Sequence, residues 1–403
     1  MPYMRSSLLR EAKELEPDII ACRRALHEHP ELGHEEFWTS QFIRDRLTEI
    51  GIPFKAPIGA TGILASLGPK KKLTIALRAD FDALPIEEKN DLPFRSQIPG
   101  KAHLCGHDAH TAILLGAAAL LKKHEAELNH QILFIFQHAE EVIPGGAKDF
   151  LKMEIFKTVK RVYALHNHPN LPAGILGINH GPVMAAAGCF EIEIIGKGGH
   201  GAFPHHCIDP IPIAAEIISA VQTIVSRTIS PLESAIISFG KLQAGRAYNV
   251  IPDKVFLNGT TRAFSHEMHQ KLKDKLETLT RGIAQAHGAT YTLRWDSGNP
   301  ALHNDAQAVQ EVRKAALALA YDENQIQTTP PMMGGEDFAF IAAKIPSCYF
   351  FLGTRDETKK VQATWHSPYF RINENVLANG AALFAQLALR GSIRTISNDQ
   401  KNS

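Results

Sequence analysis

Three runs of strand length, LTIAL (73–77), QILFIF (131–136) and VYAL (162–165), are apolar at nearly every position and not at alternate ones. A strand with one face in water alternates, whereas a strand apolar throughout is covered on both faces. Helical periodicity over 109–123 separates the first two runs, and a fourth run, CYFFLG, follows at 348–353. The pattern predicts an α/β/α domain built on a central, buried, mixed sheet. Helices are also expected over 5–28, 35–49, 305–320, 336–344 and 374–391, with Pro30 and Gly51 as breaks. The tail SIRTISNDQKNS reads as frayed.

The middle of the chain has a different period. CFEIEIIGKG (189–198) alternates like a half-buried strand, and an amphipathic helix follows at 211–227. Strands at 234–240 and 254–264, a helix at 265–288 and a strand at 289–296 complete the order β-α-β-β-α-β. Ser265 is placed as that helix's N-cap and Gly288 at its end. This order predicts a ferredoxin-like insert. The expected division is 1–184 and 298–403 for the main domain and 185–297 for the insert.

Composition removes some classes of function. With 403 residues, 44% hydrophobic and a formal net charge of +1, nothing points to nucleic acid or an anionic membrane surface. The N-terminal stretch interleaves charges with apolar residues, unlike a signal peptide, and no segment has the character of a membrane span. Five cysteines without framework spacing fit a reduced, cytoplasmic setting.

Each apolar run ends in chemistry. The first leads into RADFD with Asp80 and Asp82, the second into QHAEE with His138, Glu140 and Glu141, the third into HNH with His166 and His168. His366 lies shortly beyond the fourth. Ligands in open α/β sheets bind beyond the carboxyl ends of the strands, so these clusters should converge. The loop HLCGHDAH (103–110) should join them. In a loop, Cys105 and His107 can both reach one ion, and the following helix start favours a thiolate. Two other readings stay open: a packed cysteine with Asp108 as N-cap, or a thiol nucleophile with His107 or His110 as its base. Metal-activated hydrolysis uses one carboxylate on the ion and a second to take a proton from water, which adjacent Glu140 and Glu141 could divide. His166 and His366 add imidazoles, and Asp80 and Asp82 suit an outer role, orienting them. In the insert, GKGGHGAFPHH surrounds His200 with glycines, and AYNVIP holds Asn249 in an apolar turn. MGGEDFAF, with Gly335 and Glu336, reads as an acid-capped helix start or a substrate-binding loop.

The segments RRALHEHPELGHEE, ALRADFDALPI, HLCGHDAHTA, FQHAEE, ALHNHP, GKGGHGAFPH, YNVIPD, GGEDFAF and HSP occur in order from about residue 23 to 391. With them the chain closely resembles the zinc-dependent aminoacylase and carboxypeptidase G-type metallohydrolases. The nearest branch holds hippurate hydrolase, auxin–amino acid conjugate hydrolases and N-acetyldiaminopimelate deacetylase. The resemblance implies that Cys105, His107, Glu141, His166 and His366 bind two divalent ions per subunit, with zinc first and manganese, cobalt or nickel as alternatives. It implies Glu140 as general base, His200 as an oxyanion donor acting across a homodimer, and Asn249 near the substrate carboxylate. The insert would be a lid and dimerisation domain. The implied reaction is hydrolysis of small-molecule N-acyl amino acids to a carboxylic acid and the free amino acid, with a metallo-dipeptidase or carboxypeptidase as the alternative. His138, the VIPGG segment, His206 and Cys207 depart from the branch's pattern and bear on substrate choice.

Overall fold

The computed structural model describes residues 5–70, 74–356 and 363–391. The first four residues, Leu73 and the 392–403 tail, about which the sequence raised expectations, lie outside the described residues. The chain forms two compact units. The first takes the chain up to Gly181, His303–Pro330 and the part from Phe340 onward; the second takes Pro182–Leu302 with Pro331–Ala339.

The first unit is built on an eight-stranded mixed sheet. Its order is Phe54–Ile58, Gly62–Leu67, Gln131–Gln137, Thr74–Asp80, Val159–His168, Ser347–Gly353, Leu176–Gly177 and Ile326–Gln327. The Gln131, Thr74, Val159 and Ser347 strands are mutually parallel neighbours. Three of these are buried at every position, which is why their sequences do not alternate. Parallel pairing brings their carboxyl ends to one edge, where the polar residues begin. The His107–Lys123 helix packs against Leu377–Gly391 and Glu16–Glu28. Gly116 permits that approach: a Cβ there would sit 2.7 Å from Ile19 Cδ1 and 3.2 Å from Ala381 Cβ.

Two helices differ most from expectation. The 5–28 stretch forms Arg5–Glu14 and Glu16–Glu28, because Pro17 lacks an N–H and suits a helix's first turn, not its interior. The 336–344 helix contracts to Ala339–Ala342. There the Glu336 carboxylate takes the Phe338 N–H at 2.8 Å, holding a turn where the helix was expected to start.

The second unit carries a four-stranded antiparallel sheet ordered Ala235–Ala244, Lys254–Ala263, Ala186–Ile195, Thr290–Asn299. In chain order this is second, third, first, fourth, the split β-α-β-β-α-β arrangement. Phe190, Ile192, Ile194, Val255 and Leu257 point to one side and pack with Ile213, Ile217, Leu272 and Leu276 of the Pro210–Thr223 and His266–Ala286 helices. Ser265 Oγ accepts the Met268 N–H at 3.0 Å, and Gly288 adopts φ +72° just past the helix end. The strand expected to end at 240 continues to Ala244 through a register shift between Phe239 and Lys241. Among the described residues no helix is long and apolar enough to cross a membrane.

Candidate metal centre

The candidate ligands arrive from separate parts of the first unit. Asp80 ends its strand, His166 lies near the end of Val159–His168, and Glu140 and Glu141 follow Gln131–Gln137. The His107–Lys123 helix starts two residues before its expected position, placing His107 and Asp108 in its first turn. Gly106 precedes it at φ +94°, a left-handed conformation natural to glycine. His366 also adopts a left-handed backbone, φ +64°, and its N–H donates to Leu104 O at 2.8 Å, tying it to the 103–106 loop. Asp108 is therefore not the N-cap; Gly106 occupies that position.

These elements bring the side chains together. Cys105 Sγ lies 3.6 Å from His166 Nε2, His366 Nε2 lies 3.1 Å from Glu141 Oε1, and His107 Nε2 lies 3.9 Å from the same oxygen. Donor atoms of Cys105, His107 and His166 form one group within 4.8 Å, and those of Cys105, Glu141 and His366 form another. Cys105 belongs to both. His107, Glu140 and Glu141 form a further group, as do Asp80, His107 and His110. His138 and His168 enter none of the groups found among the described residues. His138 is fully buried with Nε2 3.5 Å from Asp149 Oδ2, and His168 packs edgewise on Trp365.

The hydrogen bonds select which nitrogens remain available. His107 Nδ1 donates to Asp82 O at 2.9 Å and sits 3.2 Å from Asp82 Oδ1, which leaves Nε2 turned to the cluster. His166 Nδ1 donates to Asn167 O at 2.7 Å, so its Nε2 lone pair faces Cys105. Asp82 Oδ2 accepts the Glu141 N–H at 2.9 Å, and Asp80 Oδ1 accepts from His110 Nδ1 at 2.6 Å. Both aspartates thus orient other groups. His107 Nε2 and Glu141 Oε1 are shielded from solvent and form no hydrogen bond. Buried polar atoms left this way are costly unless something else satisfies them.

Electrostatics give the same account. Burial alone would lower the His107 pKa, but Asp80, Asp82 and Glu141 outweigh it and raise it to about 10. Burial pushes the Cys105 thiol well up, and Glu141, Glu140 and Asp80 push it further. Burial first, and the neighbouring carboxylates after it, thus oppose the thiolate expected from the helix start. Divalent cations would reverse both effects, displacing the imidazole proton and stabilising the thiolate. Thiol, imidazole and carboxylate donors around orphaned buried atoms fit divalent metal.

Sequence reasoning missed an adjoining buried network. Arg23 Nε pairs with Asp108 Oδ2 at 2.8 Å, and the same oxygen accepts from His27 Nδ1 at 2.8 Å. His27 Nε2 lies 3.2 Å from both Glu88 oxygens. The signal was available in Arg23 and His27, four residues apart on one helical face. Asn167 and His110 were also not assigned these places.

The second unit holds the other candidates. His200 pairs with Val250 in a two-stranded ribbon, and Gly201 N–H donates to Asn249 O at 2.9 Å, so His200 and Asn249 are brought side by side. His200 Nδ1 accepts the Ala202 N–H at 3.0 Å, so the neutral ring carries its proton on Nε2 as a donor. Gly335 and Glu336 belong to the Pro331–Ala339 segment of this unit. Glu336 is buried, and a Cβ on Gly335 would lie 2.7 Å from Ala187 Cβ.

A family model described as Peptidase family M20/M25/M40 matches residues 76–390. N-acetylcysteine deacetylase of Bacillus subtilis (strain 168) is 41% identical over 373 residues, covering 92% of this chain and 96% of that protein. IAA-amino acid hydrolase ILR1-like 4 of Arabidopsis thaliana is 39% identical over 376 residues, covering 92% and 85%. A solved structure of the Bacillus subtilis YXEP protein, described as a dinuclear metal-binding peptidase, superposes with a TM-score of 0.82. It shares 37% identity and covers 94% of this chain and 99% of that one.

Proposed function

The chain belongs to peptidase family M20/M25/M40, and on that premise we propose how its residues divide the work of cleaving an amide. It is a metal-dependent amidohydrolase that acts on N-acyl amino acids, releasing a carboxylic acid and the free amino acid. The observation that carries the reading is the convergence of Cys105, His107, Glu141, His166 and His366, with His107 Nε2 and Glu141 Oε1 buried and without a hydrogen bond. Those five residues hold two divalent cations, with zinc favoured by the thiol and imidazole donors and manganese, cobalt or nickel accepted by the same set. When bound, the cations supply Lewis acidity, polarising the amide carbonyl and easing loss of a proton from water.

The remaining chemistry falls to the chain itself. Glu140 takes the proton of the attacking water and returns it to the departing amine. Asp82 fixes the His107 tautomer, and Asp80 holds His110. His200, with its proton on Nε2, donates to the developing oxyanion of a substrate in a neighbouring subunit. Asn249 beside it, with Gly335 and Glu336, contacts the substrate. The second unit therefore serves as the lid and dimerisation domain of a homodimer, and the five free cysteines suit a cytoplasmic enzyme.

The test is amino acid release from N-acetyl, N-benzoyl and indole-acetyl amino acids, run beside simple dipeptides. Faster release from one of the acyl series is expected, and the preferred acyl group identifies the physiological class. Dipeptides turned over faster than every acyl substrate would favour the dipeptidase or carboxypeptidase alternative.

A further inference from the structure

Cys105 and His166 come from a loop and a strand 61 residues apart in sequence, and the residue after His166 contacts both, one through its side chain and the other through its carbonyl. Asn167 is 1% exposed. Its Nδ2 donates to Cys105 O at 2.6 Å and to His110 Nε2 at 2.9 Å. Its own N–H also donates to His110 Nε2 at 2.9 Å, and its carbonyl accepts from His166 Nδ1 at 2.7 Å.

The orientation of the amide is determined by what lies behind it. Gln137 Oε1 accepts from Arg78 Nε at 2.9 Å, and Arg78 Nη1 donates to Asp80 Oδ2 at 2.6 Å. Asp80 Oδ1 takes the proton on His110 Nδ1. A neutral His110 with its proton on Nδ1 has only a lone pair on Nε2, so the group facing it must be a donor. A flipped amide would set its oxygen against both this lone pair and the Cys105 carbonyl. In the observed orientation Asn167 Oδ1 forms no hydrogen bond, so the site is arranged around the donated hydrogens alone. The loop conforms to the same group: a Cβ on Gly106 would collide with Asn167 Nδ2.

We propose that Asn167 is a positioning residue for the metal pair, setting the Cys105 loop through its side chain and the His166 ring through its carbonyl. His110 serves it by holding the amide in its donating orientation. The inference rests on the cation-binding reading above and asks how the thiol and one imidazole meet at a common ion. Groups that orient ligands in this way typically change metal affinity by about 10- to 100-fold when lost.

The test is titration of metal-free protein with cobalt(II) against a competing chelator, following the near-ultraviolet thiolate-to-cobalt absorption. Asn167→Asp keeps the side chain's shape and removes its donated hydrogens; Asn167→Ala serves if the new carboxylate prevents folding. Expected in the folded variant are about 10- to 100-fold weaker cobalt binding and a diminished thiolate band, with the thermal midpoint of the metal-free protein near that of the wild type. Wild-type affinity and an unchanged band would overturn the inference alone. A fall in the metal-free midpoint with affinity and band unaltered would do the same, leaving Asn167 a purely structural role. Wild-type protein that takes up no cobalt would overturn the metal reading itself, and the inference with it.

Discussion

His107 and His200 are both histidines beside glycine, and they occupy opposite settings. His107 is buried, held at Nδ1 by Asp82 and surrounded by carboxylates that raise its pKa to about 10. His200 is exposed on a two-residue strand, with its Nδ1 bonded to a backbone N–H two residues on. The first is a strained electrostatic arrangement that a cation would relieve. The second ring, among the described residues, has only the Ala202 N–H as its hydrogen-bond partner. A site on rigid, buried elements can concentrate charge because the fold carries the cost; a site on a surface ribbon can only present a group.

The sharpest way to break this contrast is at the glutamates. Glu140→Gln is expected to lower turnover by about 100- to 10,000-fold while leaving metal content unchanged. Retained turnover would remove Glu140 from its role as base; lost metal would place it among the ligands. Stability should separate the two regions next. Arg23→Met leaves Asp108 buried without its guanidinium partner and should cost about 3 to 5 kcal/mol in chemical denaturation, weakening metal binding as the helix start loosens. A loss below 1 kcal/mol would show that this pair does not anchor the loop.

The reverse pattern is expected in the second unit. His200→Ala should cost about 100- to 1,000-fold in kcat with metal content and thermal midpoint unaltered. Mixing Glu140→Gln and His200→Ala subunits sharpens the point. If His200 serves the neighbour's site, exchanged dimers regain part of the wild-type turnover; if it serves its own, the mixture stays inactive.

The smallest expected effect is on pH dependence. Glu36 is buried, accepts hydrogen bonds from Thr61 Oγ1 at 2.7 Å and the Ala139 N–H at 2.8 Å, and so steadies the start of the Glu140 loop. Burial raises its pKa from 4.5 to about 7. Between those values the folded chain keeps a proton that the unfolded chain has released. Stability should therefore fall as pH rises through that window, by up to about 3 kcal/mol, and be whole below it. Glu36→Gln should flatten this slope, and an unchanged slope would assign it to other groups.

Much of the fold was legible because its signals are local. Unbroken apolar runs marked the buried strands, alternation marked the half-open sheet of the second unit, and Ser265 marked its helix start. The ligand candidates were legible because they cluster at strand ends, where an α/β sheet gathers them. Asn167 was not, since its role depends on Cys105 and His110, 62 and 57 residues away, and an Asn between two histidines carries no pattern of its own. The alternative that made Asp108 a helix cap fails for a related reason. Next to a helix start it looked like a cap, and only the packing of the Glu16–Glu28 helix supplies Arg23 and His27. The 336–344 helix was over-read because a carboxylate two residues from an N–H competes with helix formation there.

The central claim is that the buried cluster around Cys105 and His107 works only with divalent cations. Its most direct test is amino acid release from an N-acyl amino acid by protein stripped of metal, before and after zinc, manganese, cobalt or nickel is restored, with and without prior thiol alkylation. The account expects no turnover when stripped, recovery on adding metal, and protection of Cys105 from alkylation while metal is bound. Full turnover by stripped protein, abolished by alkylation alone, would contradict it and return Cys105 to the role of nucleophile.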